Sequence, residues 1–162
     1  MNVLSQKIFL SALVTAVLAL MSGVTATAED KALDDNKIAE VVKTANDAEI
    51  DAAKIAKRKA SNPRVKEFAQ MMIDEHEKSN KEAKVLKDKL DLKFKNNDVA
   101  KDIKKDAKDK KSLLREAKDV EFDRVYMDSQ IAMHRKLLQE LNQRLIPSAQ
   151  KPELKQFLQT TQ

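Results

Sequence analysis

After Gly23 the chain contains no glycine, and proline occurs only at positions 63, 147 and 152. Tight hairpin turns draw on glycine for their left-handed positions, so a chain without it has few ways to build an antiparallel sheet. It carries instead long stretches in which apolar residues recur at steps of four and three, the repeat of an amphipathic helix. Ala, Lys, Asp, Glu, Leu and Gln dominate, and β-branched alternation is missing. The fold class read from this is all-α, with prolines and short polar stretches as punctuation.

The first predicted helix runs from about Asp34 to Lys59, capped by Asp34 or Asp35, with Ile38, Val42, Ala45, Glu49, Ala52 and Ala56 on its inner stripe. Ser61-Asn62-Pro63 is a stop and restart, since proline suits a first helical turn. The second helix, about Pro63 to Leu92, lines up Val65, Ala69, Met72, His76, Ser79, Ala83, Leu86 and Leu90. The third, about Asp98 to Ala117, has a thin stripe of Val99, Ile103, Ala107, Leu113 and Leu114, and its centre is nearly all charge. The fourth, about Asp119 to Leu145, presents Val120, Asp123, Met127, Gln130, His134, Leu137, Leu141 and Leu145. Pro147 and Pro152 then bracket a break before a short segment at Glu153 to Gln159. Antiparallel helices joined by short turns predict an up-down four-helix bundle with a short C-terminal helix. A weak internal repeat relates Phe68, Ile73 and His76 to Tyr126, Ile131 and His134.

The first residues read as a targeting segment. Lys7 is followed by the apolar run Ile8 to Leu20 and by Ala26-Thr27-Ala28, an A-x-A cleavage pattern. Thirteen residues fall short of the roughly 18–20 that a spanning helix needs. The expectation is a secretory signal peptide, residues 1–28, cleaved to leave one domain at 29–162 that resides in the periplasm or outside the cell. Absence of cysteine excludes lipidation at a signal cysteine, disulfides, thiolate metal sites and cysteine nucleophiles.

Without Lys7 the net charge is +4, but Lys78 to Lys118 holds 15 basic residues against 8 acidic ones. Such a segment can meet anionic lipid, lipopolysaccharide or nucleic acid. Its signs alternate closely, the look of a solvated helix face, and Phe94 is its only aromatic, so base stacking and nucleic-acid binding are disfavoured.

Polar residues on the inner stripes point to a site. Glu49, His76 and His134 each fall near mid-height of their helices, with Asp123 and Gln130 on the same stripe as His134. Buried carboxylates and imidazoles need partners, because an unpaired buried charge costs several kcal/mol. A bundle di-iron site requires Glu-x-x-His on two helices, and here Ile73 and Ile131 occupy both carboxylate positions. What remains is a single Zn or Cu ion on Glu49, His76 and His134, with Met72 and Met127 as soft donors for Cu(I), a hydrogen-bonded network that sets helix register, or exposure at the rim of the bundle. The absence of glycine after residue 23 rules out a phosphate loop, and no Ser or Thr at helical spacing from either histidine comes with a plausible orienting acid.

Taken together, Ala48-Glu49, then Val65-Lys66-x-Phe68-Ala69-x-x-Met72-x-x-x-His76-x-x-x-Asn80, then Phe122-Asp123-x-x-Tyr126 followed by His134, resemble the bacterial domain-of-unknown-function 4142 family. The resemblance covers about Asp35 to Leu158. It implies a ferritin-like, secreted or membrane-associated bundle without a settled activity. It also implies that Glu49, Phe68, Met72, His76, Phe122, Asp123, Tyr126 and His134 hold signature positions. Glu75 stands where the family usually has Asp. The family commonly continues beyond the counterpart of Leu158 into a helical segment that carries a further histidine. Two functions are therefore expected. One is a non-catalytic envelope-stress or binding protein for a metal or small ligand, and the other a chaperone-like protein that adheres to anionic surfaces through its basic hairpin.

Overall fold

In a computed structural model, residues 33–161 are described and form an all-α bundle. The signal segment expected at residues 1–28 lies outside the described residues. The helices are α1 (Asp35–Lys59), α2 (Pro63–Lys89), α3 (Asp98–Glu116) and α4 (Asp119–Glu140). A π-helical turn, Leu141–Leu145, continues α4 into the single turn α5 (Ile146–Ser148), and α6 (Pro152–Thr160) follows. Among the described residues no helix is long and apolar enough to cross a membrane.

Helix starts follow local chemistry. Asp34 accepts the Lys37 amide at 2.9 Å, Asn62 accepts that of Arg64 at 2.9 Å, and Asn97 accepts that of Ala100 at 3.1 Å. Helix α2 ends three residues before the expected Leu92. Asp91 turns left-handed at φ 52°, while the Leu92 amide donates to Lys87 O and the Asp91 amide to Asp88 O. This is a Schellman closure with aspartate in the position glycine usually takes. At the other end of the chain, α4 outlasts its expected end at Leu145. A proline clashes with the carbonyl four residues earlier, and the wide π-turn upstream of Pro147 relieves that clash, so the helix runs on to Ser148.

Helix α1 is the centre of the bundle, buried along most of its circumference, and its alanines at 39, 45, 48, 52, 53 and 56 let neighbours approach closely. The α2–α3 connection crosses the start of α1, where Asn36 accepts the Lys93 amide through Oδ1 at 2.8 Å and the Lys95 amide through its carbonyl at 3.3 Å. As a result α3 lies beside α1 and runs parallel to it. Asn97 Nδ2 donates to Lys37 O at one end, and the Lys59 ammonium donates to the carbonyls of Leu114, Arg115 and Ala117 at the other. Lys59 thus serves as a cationic cap on the C-terminus of α3. Asp35 holds the break before α6 by accepting the amides of Gln150 and Lys151 at 2.8 and 3.1 Å.

Two apolar cores stack along α1. One gathers Ile38, Val41, Val99, Ile103, Leu154 and Leu158; the other gathers Ala53, Ile55, Ala69, Leu114, Phe122 and Tyr126. Helices α2 and α4 meet at Phe68 and Tyr126, whose rings stand edge to face 6.1 Å apart. Toward the other end α6 inserts beside α2, with Lys89 paired to Glu153 at 3.6 Å.

Two stripe assignments need correction. Leu113 is 57% exposed, and Leu114 alone enters the core. On α4 the buried face in the first turns is Phe122, Tyr126, Gln130 and Met133, one residue ahead of the expected Asp123 and Met127, which are only half-buried. The two large rings claim the interior because they bury far more apolar area than an aspartate and a methionine.

Candidate functional site

Between the two cores lies a polar layer. Glu49 is 0% exposed and neither carboxylate oxygen has a hydrogen-bond partner in the protein. Its nearest cation candidate is His134, whose Nδ1 stands 3.7 Å from Oε1. The Gln130 Oε1 and the Tyr126 hydroxyl are likewise buried without partners. Burial pushes the Glu49 carboxyl above the ordinary range, against the opposing pull of His134, of the adjacent Gln130 amide and of Lys110. Burial, and secondarily the Glu49 charge, pushes the Tyr126 hydroxyl up, so it stays a neutral phenol. Lys110 reaches toward this layer from α3, with its ammonium 3.5 Å from Ser129 O, and burial lowers its pKa despite the attraction of Glu49.

His76 belongs to a different network. Its Nδ1 is 2.9 Å from Asn46 Oδ1, Asn46 Nδ2 donates to Ser79 Oγ and Asn80 Oδ1, and Asn80 Nδ2 donates to Asp47 Oδ1. Burial, and then the neighbouring His134, push the His76 imidazole down to about 4, so it is neutral at physiological pH. The His76 and His134 rings approach to 6.2 Å between centroids.

The three predicted ligands thus gather near one another but in two pairings, Glu49 with His134 and His76 with Asn46. Among the described residues no three of His, Asp and Glu converge as a metal-holding group. Met72 and Met127 belong to the apolar core around Phe122 and Tyr126. Asp123 leaves the cluster altogether. Its two carboxylate oxygens accept the amides of Ser61 and Asn62 at 2.9 and 2.8 Å, which ties the α1–α2 turn to α4.

Beside the histidines a cavity of about 420 Å³ opens between α1, α2 and the end of α4. Val41, Val42 and Ala45 contribute from α1, Leu137 and Leu141 face them, and Thr160 and Thr161 close one end. His76, His134, Asn46 and Ser79 supply polar groups, with Glu75, Lys78 and Glu82 also at its margin. The cleft lies beyond the point where α2 and α4 converge at Phe68 and Tyr126, and the end of α6 borders it through Thr160 and Thr161.

Asn46 and Lys110 are the members that periodicity analysis passed over. Lys110 carries a legible signal, since Ile103, Ala107, Lys110 and Leu114 follow four-three-four spacing and place a lysine on the inner stripe of α3. The expected basic surface, by contrast, is laced with acid: Lys104 meets Glu40 at 2.7 Å, Lys111 meets Asp51 at 2.6 Å and Lys95 meets Asp34 at 3.3 Å.

No curated protein and no solved structure matches the chain. A family model, described as a domain of unknown function (DUF4142), matches residues 21–162, nearly the whole chain and every residue of the polar layer and the cleft. The chain belongs to that family.

Proposed function

We infer that the protein is an extracytoplasmic, non-catalytic binding protein, and that its ligand is a small amphipathic molecule seated in the His76–His134 cleft. The observation that carries this reading is the cleft itself. Its volume of about 420 Å³ falls in the roughly 300–1,000 Å³ range of small-molecule sites, and its make-up of aliphatic walls with a few converging polar groups is theirs too. Catalysis is disfavoured in the same residues, because the Ser79 hydroxyl is engaged by Asn46, which also takes the Nδ1 of His76, and the Nδ1 of His134 is taken by the Gln130 carbonyl. The signal-like leader, Lys7 through Ala28, supports residence outside the cytoplasm.

Binding of Nile red, a neutral dye that brightens in apolar surroundings, tests the reading on untagged protein. Wild type should enhance its emission saturably, and Leu141→Arg, which puts a charge on the half-buried cleft wall, should weaken binding at least tenfold. No saturable enhancement, or equal binding by the variant with an unchanged circular-dichroism spectrum, refutes it.

A further inference from the structure

Hydrogen bonds around the two histidines determine which ring nitrogen carries the proton. The Asp47 carboxylate can only accept, so Asn80 presents Nδ2 to it and turns Oδ1 toward Asn46. Asn46 must then donate through Nδ2 and accept through Oδ1, and the Nδ1 of the neutral His76 must be its N–H donor. On α4 the partner of His134 Nδ1 is the Gln130 backbone carbonyl at 3.0 Å, which also only accepts, so that nitrogen again bears the proton. In the neutral rings both Nε2 atoms are therefore left as lone pairs. Neither has a partner among the described residues, and neither is among the fully buried unsatisfied atoms. Both rings line the same cleft.

We propose that the cleft selects an amphiphile whose head group donates hydrogen bonds, an alcohol or amine, and discriminates against a carboxylate of the same chain length. The proposal rests on the ligand-binding reading of the cleft and adds the chemistry of the head group. Two imidazole lone pairs attract O–H and N–H and repel a carboxylate oxygen, which offers only lone pairs of its own. The buried Glu49 carboxyl behind His134 adds further negative potential whenever it is ionised. An imperfectly satisfied polar site rejects the wrong head group because its desolvated atoms are left unpaired.

The chain contains no tryptophan, so Leu138→Trp at the cleft margin supplies a single fluorescent reporter. Decanol, decylamine and decanoate, each below its micellar concentration, are titrated into this protein at pH 8, where imidazole is neutral. Decanol and decylamine should bind at least tenfold more tightly than decanoate. His134→Phe in the same background should narrow the preference to below threefold while leaving decanol binding detectable, and His76→Phe should do the same. Equal affinity for the three probes, or preference for decanoate, overturns this proposal and leaves the cleft as a binding site. Failure of all three to bind overturns the cleft reading itself. Uptake of zinc in place of decanol, with no preference between decanol and decanoate, overturns the proposal in favour of a metal site.

Discussion

Acidification should weaken the fold through His76, by an amount that follows from its surroundings. In the unfolded chain an imidazole titrates near 6.5; in the bundle burial and His134 hold His76 at about 4. Between these values the unfolded state binds a proton that the native state refuses, so stability rises with pH across this window and is lost as pH falls through it. Integrating the linkage from pH 7.5 to 4.5 gives a loss of about 2.5 kcal/mol from this one group. Acidification acts on the rest of the protein as well, so the quantity to measure is a difference of differences. Urea unfolding followed by circular dichroism at 222 nm, for wild type and His76→Gln at both pH values, isolates it. At pH 7.5 the variant should be less stable by about 1 kcal/mol, the worth of the bond to Asn46. At pH 4.5 the order should reverse, with the variant ahead by about 1.5 kcal/mol once the two contributions are combined. Parallel losses in the two proteins would show that His76 takes up its proton as freely in the bundle as in the unfolded chain. The burial argument would then be wrong.

Glu49→Gln removes a buried charge without hydrogen-bond partners and should stabilise the protein at pH 7.5 by about 1–2 kcal/mol. Because burial raises the native pKa of Glu49, the native state holds a proton that the unfolded state releases above about 4.5. The advantage of the variant should therefore grow as pH rises above that value, and a loss of stability at pH 7.5 would show that the attraction of His134 outweighs the cost of burying the charge. Asp91→Gly should add about 0.5–1 kcal/mol, since glycine enters the left-handed C-terminal position of α2 without a Cβ penalty; a drop in the urea midpoint would contradict this. Leu114→Ala should cost about 2–5 kcal/mol while Leu113→Ala stays within about 0.5, and comparable midpoints for the two would refute the side of α3 assigned to the core.

The first helix shows how much of this was legible. Its start at Asp34 or Asp35, its end at Lys59 and the inner positions Ile38, Ala45, Glu49, Ala52 and Ala56 are local matters of capping chemistry and periodicity; Val41, Ala48, Ile50, Ala53 and Ile55 lie outside that stripe and are buried because α1 is packed on most sides. The fourth helix shows the limit. Asp123 and Phe122 are neighbours on one turn, and which of them faces inward depended on rings and backbone amides supplied by other helices. In the site, Glu49, His76 and His134 stood out as polar residues on apolar stripes. Nothing in their spacing said that Glu49 would pair with His134 while His76 turned to Asn46.

The sequence by itself determined a cysteine-free all-α chain with no glycine after Gly23, its helix starts, its family and three polar residues on its inner stripes. Each depends on interactions within a few turns of one helix or on residue chemistry alone. Only the tertiary structure decided that α3 runs beside α1, that α1, α2 and the end of α4 leave a cleft between them, and that His76 turns to Asn46. Those outcomes are set by contacts between residues 30 to more than 100 positions apart, such as Asn46 with Asn80 and Asp35 with Gln150. The competition among faces and partners at that range leaves no periodic mark in the chain.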